Sequence, residues 1–463
     1  MSILGRIKDM FIPKTILSEI PASVANREEA IEEWFDAYKM KAPWLDYTYR
    51  TVDGRTKNRK RLSLNAGKLV CKELNSLVFS ESPTITTDKT IDEILKKNDF
   101  LTNFQEFSEY VLALGGGAMK IRYDGTDIIL DFVKAHNFIP LSWDNKRVTE
   151  ASFISHMTKD KRKVSLVETH RKVGETYVIT NTMYDEETGR KVDLPVEYKA
   201  TATILVDVPL FAYVKPAIAN NFDPESPLGI SIYGNAMDTL KALDIAFDGL
   251  NSEIVLGKKR IIVPANAIRT VVDENGKMVR YFDASDEVFS ALNIDDEEAL
   301  KIQDNSVELR ITEIRLAIQT LFDILSIQVG FSAGYLSFDG GVAAKTATEV
   351  ISDNSKTFKT KQSYENNLAT GVIDLLDAMR SLIKTYQLGT VTDKEYIIIF
   401  DDSVIEDRNS KATYWINLYA SGLAPLSLVL EKVHGVSKEE AQKMATELES
   451  KKTESVSLFG GGA

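Results

Sequence analysis

The first candidate for chemistry is a glycine-rich stretch that ends in lysine, GGGAMK at residues 115–120. A phosphate-binding P-loop has the pattern G-x-x-x-x-G-K-[ST], with a strand before it and a helix after it. Here the predicted order is helix, glycines and strand, and no serine or threonine follows Lys120. The sequence therefore favours a turn that ends a helix over a nucleotide site.

Histidines and one acidic pair are the remaining candidates for catalysis. The four histidines are scattered along the chain: His136, His156, His170 and His434. They lack the spacing of a metal site, and no G-x-S-x-G nucleophile elbow is present. Asp401 and Asp402 follow the stretch YIIIF and resemble a metal-binding strand end, but a strand that leaves the core into a polar turn gives the same pattern. We predict no enzyme activity, no cofactor and no metal.

Basic residues cluster early in the chain. The cluster contains Arg55, Lys57, Arg59, Lys60 and Arg61, followed by Lys68 and Lys72. Two interpretations are open: a contact with nucleic acid, or a solvated face beside an acidic neighbour.

An acidic cluster lies further along, with Lys301 as the one opposing charge. Its members are Asp283, Asp286, Glu287, Asp295, Asp296, Glu297, Glu298 and Asp304. Such a surface repels DNA phosphates and attracts a basic partner, although a merely soluble surface gives the same signal.

The composition is that of an ordinary folded protein of 463 residues, with 44% hydrophobic and 27% charged residues. Its length favours several substructures over one core. The net charge of −12 lacks the basic excess of proteins that hold DNA statically, and it is compatible with a surface that lets DNA slide past. The single cysteine, Cys71, permits no disulfide within the chain. Because no apolar run reaches about 18 residues, we predict no membrane span.

Helices and strands are mixed in the first half of the chain. Helical periodicity covers residues 27–42 and 61–79, and antiparallel strands are predicted between residues 151 and 212. Two long helices follow, at residues 230–257 and 305–330, with a compact insert between them. The second is apolar around most of its circumference from Leu316 onwards, so other protein must surround it, and in a slender stalk neighbouring subunits must do so.

The last part of the chain is predicted to be mainly helical. A very long helix at residues 346–387 has a polar middle and an apolar end. A buried strand is predicted at residues 396–400, helices at residues 403–452 and a disordered tail at residues 453–463.

The loop before the very long helix has an unusual composition. Residues 329–350, VGFSAGYLSFDGGVAAKTATEV, combine four glycines with three aromatic residues. Glycine gives the backbone freedom, whereas aromatic side chains are usually buried. One interpretation is a flexible connector with buried aromatics, and the other is a loop that points into a channel.

The order of these elements and several phrases resemble tailed-bacteriophage portal proteins of the family typified by Bacillus phage SPP1. The similar phrases are NAGKLVCKELNSLVFSESPTI, ALGGGAMKIRYDG, SPLGISIYGNAMDTLKALDIAFDGL, VGFSAGYLSFDGGVAAKTATEVISDNSKTFKT and YASGLAPLSLVLEKVHGVSKEEAQKM. They occur in the family's order between Asn65 and Met444, so the resemblance covers most of the chain.

The resemblance implies an α+β, mainly helical portal fold in which each chain is one subunit of a ring. The implied parts, in chain order, are the wing at residues 1–229, the first stem helix at 230–257, the clip at 258–304, the second stem helix at 305–330, the tunnel loop at 331–345, a long helix and strand returning to the wing at 346–402, and a helical crown at 403–452.

The resemblance also implies the function. Twelve subunits would form the head–tail connector ring at one capsid vertex of the virion, and double-stranded DNA would pass through its channel, not tightly bound, during packaging and ejection. The implied partners are the terminase large subunit, head–tail connector or adaptor proteins, and the major capsid and scaffold proteins, with host cytoplasm as the site of assembly. The alternatives are another phage capsid or connector protein and, in a different class, a metal-dependent nuclease using Asp401 and Asp402.

Three groups of residues become site candidates through the resemblance. The DNA-facing tunnel loop would comprise Phe331, Ser332, Tyr335, Ser337, Phe338, Asp339 and Lys345. The acidic residues 283–298 would bind partners at the clip. Lys258, Lys259 and Arg260 form either a basic ring facing DNA or a complement to the negative end of the preceding helix.

Overall fold

The computed structural model of the chain describes residues 21, 27–51, 54–159, 161–196, 198–257, 261–262, 269–272, 278–281, 303–304, 308–337, 347–392, 396–400, 408–421, 424–434, 436 and 440–448. Within them, helical residues outnumber strand residues in a mixed α/β fold. The chain divides into two compact units. The larger unit comprises residues 1–43, 65–240 and 323–463, and the smaller unit comprises residues 44–64 and 241–322.

Four helices begin the larger unit, and they pack by their apolar faces. They are α1 (Arg27–Tyr38), α2 (Ala66–Val78), α3 (Lys89–Lys97) and α4 (Phe100–Leu114). Val70, Leu74 and Val78 recur on one face of α2 and are buried, as are Phe104 and Val111 of α4.

Two antiparallel sheets follow in the larger unit. Their strands are β4 (Gly117–Tyr123), β5 (Ile128–Lys134), β6 (Phe138–Asp144), β7 (Arg147–Lys159), β8 (Arg162–Val173), β9 (Thr176–Asp185), β10 (Lys191–Val192), β11 (Thr201–Ile204) and β12 (Phe211–Val214). One sheet has the order β12-β4-β5, and the other has the order β10-β9-β8-β7-β6, with β11 also paired to β9. Phe138, Phe153 and Phe211 belong to one core cluster.

A long helix crosses the larger unit. Helix α7 (Ala347–Asp353) is followed by Asn354, and α8 (Ser355–Tyr386) then runs for 32 residues. The short strand β17 (Ile397–Ile399) pairs with β3 (Thr84–Thr86). Helix α9 (Arg408–Ala420), helix α10 (Leu426–His434) and a helix at residues 440–448 follow, and Leu430, Ala441 and Ala445 form a small core cluster.

The smaller unit is built on a hairpin and two helices. Strands β1 (Asp46–Arg50) and β2 (Thr56–Lys60) pair in antiparallel register, with Tyr47 opposite Arg59. Helices α5 (Met237–Leu256) and α6 (Ile311–Gln328) each contribute residues to both units. Between them lie two antiparallel pairs, β13 (Ile261–Ile262) with β16 (Gln303–Asp304) and β14 (Arg269–Val272) with β15 (Met278–Tyr281).

Several predicted boundaries need correction. Helix α5 begins at Met237 rather than at residue 230, because the N–H of Ile232 donates to the carbonyl of Leu112 at 3.0 Å and holds the preceding segment outside the helix. Helix α2 begins at Ala66 rather than at residue 61, and the predicted very long helix is interrupted at Asn354.

The prediction of a buried strand at residues 396–400 is wrong in one respect. Strand β17 exists, but Ile397 and Ile399 are each 49% exposed. It pairs only with β3 in a two-stranded ribbon, which leaves one face of these isoleucines uncovered by the described residues. Within the described part of the chain, no helix is both long and apolar enough to cross a membrane.

Candidate DNA-channel loop

The loop that follows α6 begins with a tightly formed helix end. Gly330 has a φ of 86°, in the left-handed region that favours glycine. The N–H of Phe331 donates to the carbonyl of Ser326 at 2.7 Å, and the N–H of Gly330 donates to the carbonyl of Ile327 at 3.4 Å. These two bonds form a Schellman motif, which stops the helix at a defined residue.

Helix α8 fixes the base of the loop through three side chains. The Thr360 hydroxyl donates to the carbonyl of Gly330 at 2.6 Å, and the Lys356 ammonium donates to the carbonyl of Ile327 at 3.0 Å. The Ser332 N–H donates to the Thr357 hydroxyl at 2.8 Å, and the Thr357 N–H donates to the Ser332 hydroxyl at 3.4 Å. A Cβ added at Gly330 would lie 2.7 Å from the Thr360 Oγ1, so this approach requires glycine. We call this set of contacts the loop clasp.

The aromatic residues of the loop differ in exposure. Phe331 is fully buried, and its ring packs edge-on against Tyr335 with centroids 5.2 Å apart. Tyr335 is half-buried, and burial raises the pKa of its hydroxyl. Ser332 is buried in the clasp, whereas Ser337 is exposed.

The prediction that Phe331 and Ser332 face DNA therefore needs correction. Their side chains lie in the interior of the larger unit, because the Schellman turn directs the chain inward and Thr357 pairs with Ser332. Tyr335 and Ser337 stay in the predicted DNA-facing set. Phe338, Asp339 and Lys345 lie outside the described residues.

Helix α6, which carries the loop, has two apolar faces. Its inner face is buried and contains Ile318, Phe322, Leu325 and Val329. On the opposite face, Leu316 is 67% exposed, Ile324 42% and Ile327 54%. Residues 11 apart return to nearly the same angle on an α-helix, so Leu316 and Ile327 share one stripe with Ile324 close beside it. No described residue of the chain buries this stripe, which we call the outer face of α6.

Two residues of the basic cluster, Arg59 and Arg61, make contacts within the smaller unit. Arg59 donates to the Asp248 carboxylate at 2.8 Å, and the guanidinium of Arg61 lies 4.3 Å from the ring centroid of Tyr47. The indole N–H of Trp44 donates to Asp244 at 2.9 Å. Asp244 and Asp248 are one turn apart on α5, and both are buried. For Arg59 the structure thus favours the acidic-neighbour interpretation.

The other cations of this cluster remain accessible. Arg55, Lys57, Lys60, Lys68 and Lys72 are exposed in this chain. Both further charge groups lie outside the described residues, namely the acidic residues 283–298 and the basic residues 258–260, as do Asp401 and Asp402.

The glycine-rich stretch is a helix end, as predicted. Gly115 follows α4 with a φ of 78°, and a Cβ there would lie 2.7 Å from the backbone of Ile230. Lys120 does not point to a phosphate site, because it is buried and donates to Glu168 at 2.9 Å. Among the described residues, no group of three or more His, Cys, Asp or Glu side chains could hold a metal ion.

Glu168 is the centre of a buried polar cluster between β4 and β8. It accepts from Lys120 and lies 2.7 Å from the Nε2 of His170. Burial alone would raise the pKa of Glu168, but the hydrogen bond from His170 and the charge of Lys120 outweigh it and lower that pKa to about 2. The scattered spacing of the histidines in the sequence gives no indication of this cluster.

Comparison with known proteins identifies the class. A family model described as phage portal protein, SPP1 Gp6-like, matches residues 11–454. No curated protein matches the sequence. The chain belongs to this portal protein family, whose members are structural components of phage particles.

Two solved structures are similar to the chain at low identity. One is the neck of a native GTA particle computed with C12 symmetry, and the other is the virion of a native gene transfer agent (GTA) particle. Each matched chain shows 11% identity and a TM-score of 0.44. The alignments cover 79% and 80% of this chain and 89% of each matched chain.

Proposed function

We propose that twelve copies of this chain form a ring around a central channel at one vertex of a phage capsid. Genomic DNA passes through this channel into the head during packaging and out of it during ejection. Membership of the portal family supports this proposal. The chain acts as a conduit and a structural connector, and it carries out no chemical reaction.

The exposed outer face of α6 is the observation that supports assembly of the chain into a ring. Burying a leucine or isoleucine side chain stabilises a contact by about 1.5–3 kcal/mol, and three such side chains are exposed along one helix. An exposed apolar stripe of this kind marks a protein interface. A neighbouring copy supplies the cover, which agrees with the requirement that other protein surround this helix.

The tunnel loop lies at the narrowest part of the proposed channel. Its base is fixed to α8 by the loop clasp, whereas Tyr335 and Ser337 are not fully buried. A fixed base with an accessible tip permits small movements of the tip while DNA passes. We assign the DNA-facing role to Tyr335 and Ser337, together with Phe338, Asp339 and Lys345 of the same loop.

Net acidity suits a conduit. Each phosphate held by a lysine or arginine would strengthen binding and slow the movement of DNA. With a net charge of −12, the chain keeps such contacts few and sensitive to salt. The basic residues 258–260 would be the exception if they form a ring facing the DNA.

The clip, residues 258–304, is the proposed docking region. Its acidic residues attract basic surfaces on the terminase large subunit during packaging and on head–tail connector proteins afterwards. Contacts with major capsid and scaffold proteins would hold the ring in the vertex. Assembly would take place in the host cytoplasm, and the finished ring would reside in the virion.

Electron microscopy of the purified protein with mass determination tests the proposal. The expected result is a ring with an axial hole and a mass twelve times that of the 51.7 kDa chain. A compact closed dimer without a hole would contradict the proposal. Magnesium-dependent cleavage of DNA by the purified protein would favour the nuclease alternative instead.

A further inference from the structure

A buried guanidinium without a partner stands at the first residue of α1. Both terminal nitrogens of Arg27 are shielded from solvent, and neither has a hydrogen-bond or ion-pair partner among the described residues. Burial lowers the pKa of Arg27 to about 10, so the group is still charged at neutral pH. A buried charge is costly unless an acceptor of opposite charge meets it.

Arg27 lines a cavity of about 190 Å³ in the larger unit. Four aromatic side chains share its wall: Trp34, Phe138, Tyr213 and Phe222. The rings of Trp34 and Phe222 lie 6.2 Å apart, and Phe222 is 59% exposed, so an exposed aromatic ring borders the cavity. An apolar cavity of about 150 Å³ in another protein holds a benzene molecule, so this space admits a single ring.

None of the described polar groups nearby forms a hydrogen bond with the terminal nitrogens of Arg27. Asp223 also lines the cavity, but its Oδ1 accepts from the N–H groups of Glu225 at 3.1 Å and Ser226 at 3.3 Å. Glu28 is next in sequence and its charge favours the charged form of Arg27, but among the described residues it forms no hydrogen bond with the terminal nitrogens of Arg27. Burial raises the pKa of the Tyr213 hydroxyl to about 12, so it is a neutral group there.

We propose that this cavity binds a carboxylate group carried on an apolar or aromatic body. The planar guanidinium of Arg27 offers two parallel N–H donors, which match the two oxygens of a carboxylate. The aromatic walls receive the apolar body, and the N-terminus of α1 adds favourable partial positive charge. Two sources supply this chemistry: a free small carboxylic acid, or an acidic side chain from a second copy of this chain. The proposal does not depend on the DNA channel.

Benzoate is the probe, because it combines one carboxylate with one aromatic ring. Calorimetric titration of unassembled subunits should show binding of benzoate and at least about tenfold weaker binding of the neutral isostere benzamide. Arg27→Gln should remove this preference for the carboxylate. Arg162→Gln, at an exposed position on β8, is the matched control and should bind benzoate like the wild type.

Thermal unfolding of free subunits separates a ligand site from an internal ion pair. Without benzoate, Arg27→Met should unfold at a higher temperature than the wild type, because it removes an uncompensated buried charge. Saturating benzoate should raise the unfolding temperature of the wild type and leave that of Arg27→Met unchanged.

Assembled protein distinguishes the two sources. If a second copy provides the carboxylate, benzoate binding is lost on assembly and Arg27→Gln weakens assembly. If the source is a free acid, assembled protein binds benzoate like the free subunit. The proposal is overturned if the free wild-type subunit binds no benzoate, or if Arg27→Gln binds it equally well. A lower unfolding temperature for Arg27→Met would likewise place the acceptor of Arg27 within its own chain.

Discussion

Helices α6 and α8 reverse the usual relation between polarity and burial. Helix α8 is polar in its first third, yet Thr357, Lys361 and Glu365 there are almost completely buried in their own chain. Helix α6 is more apolar than α8, particularly towards its C-terminal end. Even so, Leu316, Ile324 and Ile327 of its outer face are exposed.

The difference shows which surfaces a single chain completes by itself. The Lys361 ammonium lies 2.7 Å from the Glu365 carboxylate, so the two buried charges of α8 compensate each other one turn apart. The loop clasp likewise uses Thr357 and Thr360 of α8 within the same unit. The outer face of α6 has no such cover among the described residues, and it is therefore the surface that we propose another copy covers.

The largest expected effect comes from placing charge on the outer face of α6. The double variant Ile324→Asp, Ile327→Asp should abolish ring assembly, because the carboxylates would be buried without partners at the interface. The unfolding free energy of the free subunit should change by less than about 1 kcal/mol, since both sites are exposed there. Light scattering and urea unfolding measure the two quantities. Ile373→Asp, at an exposed isoleucine of α8, is the control and should assemble normally.

The opposite pattern is expected for the buried charges of α8. Lys361→Ala should destabilise the free subunit by about 3–5 kcal/mol, because it leaves the Glu365 carboxylate buried without its cation. Urea unfolding of free subunits measures this loss. Lys359→Ala, at an exposed position on the same helix, should cost less than about 0.5 kcal/mol. A loss for Lys361→Ala no larger than that for Lys359→Ala would contradict the role of the pair.

A pH titration tests whether Glu168, another buried charge, is also compensated within its own chain. Its pKa is about 2 in the folded chain and 4.5 in the unfolded chain, so its stabilising contribution of about 3 kcal/mol is complete well above pH 4.5 and is lost as pH falls towards 2. The partners that face it are Lys120 and His170, with Asp131 lying 3.6 Å from Lys120. Glu168→Gln should flatten this part of the stability profile. An unchanged slope would rule out the assignment.

The smallest effect concerns the loop clasp. Thr357→Val leaves the buried N–H of Ser332 without its acceptor and should cost about 1–3 kcal/mol in the free subunit. Thr370→Val, on the same helix, is the control, because the exposed Thr370 hydroxyl donates within α8 to the carbonyl of Asn366. Hydrogen exchange at Ser332 should become faster in Thr357→Val alone. Equal exchange in both variants would mean that the clasp does not hold the loop.

Periodicity and glycine placement predicted much of this fold. The positions of α6 and α8 and the helix stop at Gly115 all follow from local rules, because each depends on residues close in sequence. The start of α5 did not follow, because the bond from Ile232 to Leu112 joins segments far apart in the chain.

The candidate sites were harder to predict than the elements. The composition of the loop indicated its importance, but not that Phe331 turns inward, since the clasp partner Thr357 lies on another helix. Asp244 and Asp248 resemble ordinary polar residues on a helix, and only the structure shows Trp44 and Arg59 bound to them. No local sequence pattern indicates the Arg27 site either, because its cavity is formed by aromatic residues that are distant in the sequence.

Thiol labelling tests most directly whether the outer face of α6 is covered by another copy. The native Cys71 is buried, so a cysteine introduced in Ile327→Cys is the main reactive thiol, and Ile373→Cys provides the reference. In free subunits both variants should react rapidly. In assembled protein, Ile327→Cys should be protected by at least about tenfold while Ile373→Cys still reacts. Equal labelling of Ile327→Cys before and after assembly would contradict the account.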